Sequence, residues 1–570
     1  MSERRRIVII GGVAAGPKAA ARARRLAPTA EITIIEKGKA LSYAGCGLPY
    51  FISGDIYDET ALLTTPLGVP RDAAYFETYK GIAVRMETEA VRIDRGARAV
   101  DMVHLPTGER SRMHYDTLIL ATGSCSVEVP IPGTDLPNVF ELKTLEDAVA
   151  LRDLLKGGKA LRAAIVGGGL IGLEMAETLK KQGCSVTLIE LYPHILPTLD
   201  TDIALLVEGY MRSLGMTLMT GSKVERLEGD ASGAVARVVT DATVVPADLV
   251  LMSVGVRPNV ELARQAGLII GPHGGIHVDS LMRTSDPNIL AVGDCIEKML
   301  RVAGTSVVLP MGSAANKEGR VAGTNAVTGG ARYPGVMGTV MVKVFDWNIG
   351  RAGLSSAQAR QLGLSVATTV VSGPDRAHYY PGAKSITVKL VVDRADRKIL
   401  GIQAVGLGDV AKRIDVAVTA MSAGMTVDDV SGLDLAYAPP YAPAMDVLIT
   451  AADSARNQLD GLLRGISSEG LQALREAEED MVLLDVRSPQ EFARTRIPHS
   501  VNVPLGELRK RADEVPRNRP VIVVCQAGSR AYEASCYLRG EGYTNVSVLC
   551  GGLGAWPFDR ESPGPQSAGA

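Results

Sequence analysis

The sequence predicts an α/β protein built from two Rossmann-like dinucleotide-binding domains, an α+β domain and a further small α/β domain. Three observations carry that prediction. First, "RIVIIGGVAAGPKAAARARRL…AEITIIEKG" from Arg6 and "RAAIVGGGLIGLEMAETLKKQGCSVTLIELY" from Arg162 repeat one pattern. Each runs apolar strand, glycine turn, alanine-rich helix, second apolar strand and acid, which is one βαβ unit used twice. Second, that pattern stops after Asn325, where "SITVKLVVD" and "KILGIQAVG" read as strands of an antiparallel sheet and "AKRIDVAVTAMSAG" as a helix. Third, "MVLLDVRSPQEF" and "PVIVVCQAGSR" again deliver strands into turns. A chain of 570 residues is too long for one core.

Composition excludes several classes. Hydrophobic residues make up 46% and charged residues 22%, an ordinary globular balance. Net charge is −2 with no basic stripe, so no nucleic-acid partner is expected. The start "MSERRRIVIIGGVAAG" is basic and then apolar, but glycines break the run after Ile10, as in a strand entering a turn rather than a signal peptide. No stretch is long and apolar enough to span a bilayer, so a cytoplasmic protein without membrane contact is expected. The seven cysteines are scattered, forming neither a disulfide framework nor a metal-ligand spacing, so no metal site is expected.

In the second repeat, Gly167, Gly169 and Gly172 form a full G-x-G-x-x-G. Glycine lets the backbone approach a pyrophosphate at a helix N-terminus. Glu190 ends the next strand, where a carboxylate accepts ribose hydroxyls and repels a 2′-phosphate, favouring NADH over NADPH. The first repeat carries Gly11, Gly12 and Gly16, with Val13 at the middle position, so Gly12 is expected to supply the close approach, and Glu36 is the ribose acid. "YDTLILATGS" places Thr122 and Gly123 after a strand, and "NILAVGDC" does the same for Gly293 and Asp294, an aspartate suited to a ribityl hydroxyl. Together these segments resemble the FAD-binding set of two-dinucleotide flavoproteins. The expected division is an FAD-binding domain at 1–150 and 276–325 and an NADH-binding domain at 151–275.

Cys46 lies in "SYAGCGLPY", a solitary cysteine following the second strand of the first repeat. The stretch resembles the single-cysteine motif of coenzyme A disulfide reductases, a branch of the pyridine nucleotide-disulfide oxidoreductases, and the resemblance covers residues 1 to about 455. It departs at Gly45, where relatives often carry asparagine. The resemblance implies that Cys46 sits at the start of a helix under the flavin, its pKa lowered by the helix terminus, and bonds to a sulfur of its substrate. It places Lys18, Arg22 and Ser42 at coenzyme A, with Lys18 and Arg22 one helical turn apart, and Glu174 near the nicotinamide. It also makes 326–455 a dimerisation domain of a homodimer, in which Tyr379 or Tyr380 and Tyr437 reach the partner's active site as proton donors.

The third block centres on Cys525. "VIVVCQAGSRA" brings it from a strand into a tight loop ending at Arg530, where inward amides would make an anion nest. The spacing is C-x4-R, which suits a single sulfur better than a phosphate. The loop resembles that of rhodanese domains, as do Asp485, Arg487 and Glu491 in "LLDVRSPQEF". That domain is expected at 475–557, preceded by a helical linker at 456–474 and followed by a disordered tail at 558–570.

The combination resembles fused NADH-dependent persulfide and polysulfide reductases. It implies an oxidoreductase using FAD, NADH and coenzyme A on small sulfur substrates, with Cys46 and Cys525 both reactive and Arg530 assisting. Alternatives from the same residues are a coenzyme A disulfide reductase with an appended sulfurtransferase, and an NADH oxidase or peroxidase with a rhodanese-like sensor or binding module.

Overall fold

The computed structural model describes residues 4–157 and 161–562. It divides into two compact units, Met1–Leu191 with Met219–Val336, and Tyr192–Leu218 with Met337–Ala570.

The first unit is built around two parallel sheets, beside smaller antiparallel ones. The first has strand order Ile289–Ala291, Thr117–Leu120, Arg6–Ile10, Glu31–Ile35, Ala83–Arg85, all parallel. Ile7, Ile9, Ile34, Leu118 and Ile119 are fully buried, as expected of parallel strands covered on both faces. The central strand feeds the Ala15–Leu26 helix, whose buried side is mostly alanine and lies against the Gly312–Asn325 helix. The second sheet contains Ser185–Ile189, Arg162–Val166, Leu249–Met252 and Val139–Phe140, also parallel, and its central strand feeds the Leu170–Lys181 helix. The two repeats are thus the same βαβ unit, and 276–325 returns to the first sheet through Ile289–Ala291.

In the second unit, the antiparallel sheet expected after Asn325 has order Val340–Val344, Trp347–Gly353, Ile399–Gly406, Ser385–Asp393, Val366–Pro374. Its inner strands are buried along nearly their whole length, against the Val410–Ala423 and Val447–Leu459 helices. Residues 192–218, expected within the 151–275 domain, group with this sheet instead. An ion-pair cluster joins the two: Lys389 is buried in the sheet, and its ammonium lies 3.0 Å from Asp200 and 2.7 Å from Asp202. A buried cation needs such counter-charges.

The same unit holds a parallel sheet ordered Gly465–Ile466, Val546–Leu549, Val521–Val524, Val482–Asp485, Val501–Asn502. Two expectations are corrected here. The supposed linker at 456–474 is mostly structured domain: Leu459 ends one helix, Gly465–Ile466 is an edge strand, and Ser468–Glu476 is a helix with Leu471 fully buried. The tail expected from 558 begins as packed chain, with the Phe558 ring 5.0 Å from that of Trp556 and Glu561 paired to Arg496 at 2.9 Å; residues 563–570 lie outside the described residues. Among the described residues no helix is long and apolar enough to cross a membrane.

Candidate active site

The two glycine turns are built alike. Gly11 and Gly167 have φ of +110° and +109°, and a Cβ on either would meet a backbone oxygen at 2.1 or 2.2 Å. Only glycine permits that path. The acids expected at the ribose also brace the turns. Glu36 accepts the Gly12 amide at 2.5 Å and the Gly38 amide at 2.7 Å, and Glu190 accepts the Gly168 amide at 2.6 Å. This corrects the reading of Gly12. Its missing side chain makes room for Leu41 and Glu36 inside the protein, not for a ligand. Gly169 differs: a Cβ there meets nothing within 4 Å, and the same holds at Gly123. Each turn system therefore leaves bare backbone facing open space, a cradle that fits a dinucleotide.

Cys46 occupies a short turn, Gly45–Gly47, that runs into the Leu48–Ser53 helix. The loop is pinned to the first glycine turn, because the Ser42 amide donates to the Gly12 carbonyl at 2.8 Å. The helix is held by Thr178, which donates to the Pro49 carbonyl at 3.2 Å, and by Gln182, which donates to that of Ser53 at 2.7 Å. Arg152 covers the Phe51 ring at 4.1 Å. Cys46 is exposed, yet its thiol is pushed up, first by desolvation and then by the charges of Glu174 and Asp294, while its own amide and Lys143 oppose the shift. Burial, and after it the two carboxylates, thus act against the lowering expected at the helix terminus. Glu174 itself is raised to about 7 by burial and by Glu177, and Tyr43 to about 12, chiefly by burial.

Asp294 is the hub of a polar cluster. Ser124 donates to it at 3.1 Å, Lys143 stands 3.8 Å away, and Lys143 donates to Ser124 at 2.7 Å. The preceding Gly293 is clamped at both ends. Its amide donates to Glu318 at 2.9 Å, and its carbonyl accepts from the Lys298 ammonium at 2.9 Å. Lys298 and Glu318 pair at 3.0 Å with both side chains fully buried. Thr122 donates to the Asn259 carbonyl at 2.7 Å. Of the residues expected at coenzyme A, Arg22 donates to Thr324 at 2.9 Å, and both it and Lys18 are half-buried.

In the second unit, Cys525 ends the Val521–Val524 strand and is 1% exposed. The Gly528 amide donates to its sulfur at 3.1 Å, with Gly528 at φ +105°. The loop leans on residues 551–554: the Leu553 amide donates to the Cys525 carbonyl and the Gly554 amide to that of Gln526, each at 2.8 Å. Arg530 does not simply cap the loop. Its guanidinium grips Glu491 with bonds of 2.7 and 2.8 Å, and Glu491 reciprocally caps its own helix with Ser488. Behind them Arg487 and Asp485 pair at 2.7 Å, both buried. Tyr379, Tyr380 and Tyr437 also belong to this unit and are 66%, 37% and 53% exposed. A hydrogen bond between Tyr379 and Tyr437 raises the former's pKa.

The structure therefore gathers Cys46, Glu174 and Asp294, and separately Cys525, Gly528 and Arg530. Sequence reasoning missed Lys143, Ser124, Lys298 and Glu318. Lys143 has one local trace, since it directly precedes the Thr144–Asp147 capping box that fixes its backbone.

Residues 5–317 match the family described as pyridine nucleotide-disulphide oxidoreductase, 339–449 its dimerisation domain, and 467–557 the rhodanese-like domain. The chain is 38% identical to the NAD(P)H sulfur oxidoreductase (CoA-dependent) of Pyrococcus abyssi over 78% of its own length and 97% of the relative's. It superposes on a NAD-dependent persulfide reductase from A. fulgidus with a TM-score of 0.92 at 42% identity, covering 97% of this chain and 100% of that one. Reduced CoADR-RHD from Bacillus anthracis gives 0.90 at 34% identity, over 97% and 98%.

Proposed function

The chain belongs to the pyridine nucleotide-disulphide oxidoreductase family, and from that premise we propose that it is an FAD-dependent, NADH-driven reductase of coenzyme A persulfide and polysulfide. The observation that carries this reading is the exposed thiol of Cys46, the one cysteine of its motif, within reach of the charges of Glu174 and Asp294, in a chain that also holds a rhodanese thiol at Cys525. Gly11, Gly16, Glu36, Thr122, Gly123, Gly293 and Asp294 hold FAD. Gly167, Gly169, Gly172 and Glu190 hold NADH, with Glu174 beside the nicotinamide. FAD, when bound, supplies the electron pair that reopens a disulfide at Cys46.

The chain's own residues do the sulfur chemistry. The Cys46 thiolate attacks the inner sulfur of coenzyme A persulfide. Its S–S bond breaks, sulfide leaves, and a mixed disulfide joins Cys46 to coenzyme A. Two electrons and a proton then release the coenzyme A thiol and restore Cys46. Glu174, raised to about 7, is poised to hold or release a proton beside the sulfur at neutral pH. Lys18, Arg22 and Ser42 grip coenzyme A. The protein acts as a cytoplasmic homodimer, with Tyr379, Tyr380 and Tyr437 donating protons at the partner's site. Cys525 takes sulfane sulfur as a persulfide, held by the Gly528 amide, and passes it on through coenzyme A.

Steady-state kinetics on coenzyme A persulfide, polysulfide and coenzyme A disulfide test the scheme. Cys46→Ser is expected to lose NADH-driven reduction of all three by about a thousandfold or more, whereas Cys525→Ser loses only turnover that starts from a sulfane donor. Sulfide release that survives in Cys46→Ser would end the proposal.

A further inference from the structure

A cavity of about 550 Å³ opens beside the Cys525 loop, on the face of the parallel sheet where its strands end. Arg530, the last residue of that loop, forms part of its wall. The floor is apolar, made by Val486, Leu505 and Leu508. The charges facing the cavity are distinctive. Arg530 is already committed to Glu491 through two bonds. Arg509 and Glu533 also line the cavity, and among the described residues neither forms an ion pair. The Arg509 guanidinium is supported from behind by the Tyr537 ring, 4.7 Å away. One uncommitted cation and one uncommitted anion thus stand over an apolar floor, next to a sulfur-handling loop.

Resting on the proposed role of Cys525, we infer that this cavity binds the organic part of a zwitterionic persulfide: an amino-acid or small-peptide persulfide, its carboxylate on Arg509 and its ammonium at Glu533. Volume and charge both select this class. Pockets of about 300 to 1,000 Å³ hold organic ligands, and an inorganic sulfane donor would leave most of this one empty. A purely anionic donor would find Arg509 but leave Glu533 without a counter-charge. In the transfer step the Cys525 thiolate attacks the terminal sulfur of R–S–SH. The donor's S–S bond breaks, an S–S bond forms at Cys525, and the proton leaves with R–SH. Sulfane sulfur moves without net oxidation or reduction.

The test compares sulfur transfer to cyanide from glutathione persulfide and from thiosulfate, using the full-length protein. Arg509→Glu reverses the carboxylate contact at an exposed position. Gly506→Trp fills the cavity: Gly506 lines it, has no left-handed backbone, and a Cβ there meets nothing within 4 Å. In both variants the ratio of kcat/KM for glutathione persulfide to that for thiosulfate is expected to fall about tenfold or more. An unchanged ratio in both variants overturns the inference. Cys525→Ser separates this from the underlying reading. If it abolishes transfer from both donors while the cavity variants keep the wild-type ratio, only the cavity assignment fails. If both donors still react without Cys525, the role of that thiol fails first.

Discussion

The two thiols sit in opposite settings. Cys46 is exposed and pushed up by desolvation and by the charges of Glu174 and Asp294. Cys525 is 1% exposed, takes the Gly528 amide at its sulfur, and has the Arg530–Glu491 pair at its loop's end. The first faces a carboxyl, Glu174, whose protonation changes near neutral pH, and the second is held by a backbone amide and by an ion pair that stays charged there. A thiol in a redox cycle gains from the first arrangement, because the proton at Glu174 can follow the sulfur's bonding state. A thiol that only stores sulfane sulfur gains from the second, because a fixed amide is already aimed at the sulfur and needs no rearrangement. The frames behind them are nonetheless alike. Each has a buried ion pair, Lys298 with Glu318 on one side and Arg487 with Asp485 on the other.

That likeness yields the largest expected effect. Lys298→Met leaves Glu318 buried without a counter-ion, which costs about 3–5 kcal/mol, and frees the carbonyl of Gly293, next to Asp294. Thermal unfolding is expected at lower temperature, with FAD lost on gel filtration. Pairing it with Glu318→Leu should recover much of the stability but not FAD retention, since nothing then clamps Gly293. Arg487→Met should bring a similar stability loss with FAD retained. If both single variants shed FAD equally, the Lys298 pair is a general stabiliser and not a cofactor clamp.

A smaller effect separates the two thiols by pH. The neutral carboxyl of Glu174 is favoured up to about pH 7. Above that its charge opposes the Cys46 thiolate. Glu174→Gln removes the repulsion, so the midpoint for iodoacetamide labelling of Cys46 should move to lower pH by about half a pH unit. Labelling of Cys525, followed by mass spectrometry on the same sample, should keep its profile. The substitution also removes a fold-destabilising charge. With its folded pKa raised, wild-type Glu174 weakens the fold as pH rises from the ordinary carboxyl range through 7. A Cys46 profile that does not move would mean that desolvation alone sets this thiol.

How much of this was legible in the sequence follows from locality. Asp294 and the Cys525 loop are local patterns, in which a strand, a turn and one side chain fall within a dozen residues, and the glycine turns with Glu36 and Glu190 each fall within one βαβ unit of about thirty residues. The clamp on Gly293 joins Lys298 to Glu318, nearly two turns into the next long helix, and no spacing rule marks that pair. The influences on Cys46 divide in the same way: the helix terminus is adjacent in sequence, whereas its burial and the charges of Glu174 and Asp294 come from far along the chain. The Tyr192–Leu218 segment reads as part of its own βαβ domain until the buried Lys389 claims Asp200 and Asp202.

The smallest effect runs opposite to the one at Glu174. Arg530 and Ser488 hold Glu491 down to about 2, against the opposing cost of desolvation. With its folded pKa depressed, Glu491 contributes stability that is present above its unfolded value of about 4.3 and lost as pH falls toward 2. Solvent reaches 33% of the Glu491 side chain and 37% of that of Arg530, so screening limits the contribution to about 1 kcal/mol. Wild type and Glu491→Gln should therefore differ in unfolding temperature at pH 7 and converge as the sample is acidified toward pH 2. Over the same descent Glu174 takes up its proton without loss, since burial already favours its neutral form. Acid should thus loosen the Cys525 loop while leaving the Cys46 turn intact, and a difference between the two proteins that persists at low pH would show that Glu491 holds the loop by its shape and not by its charge.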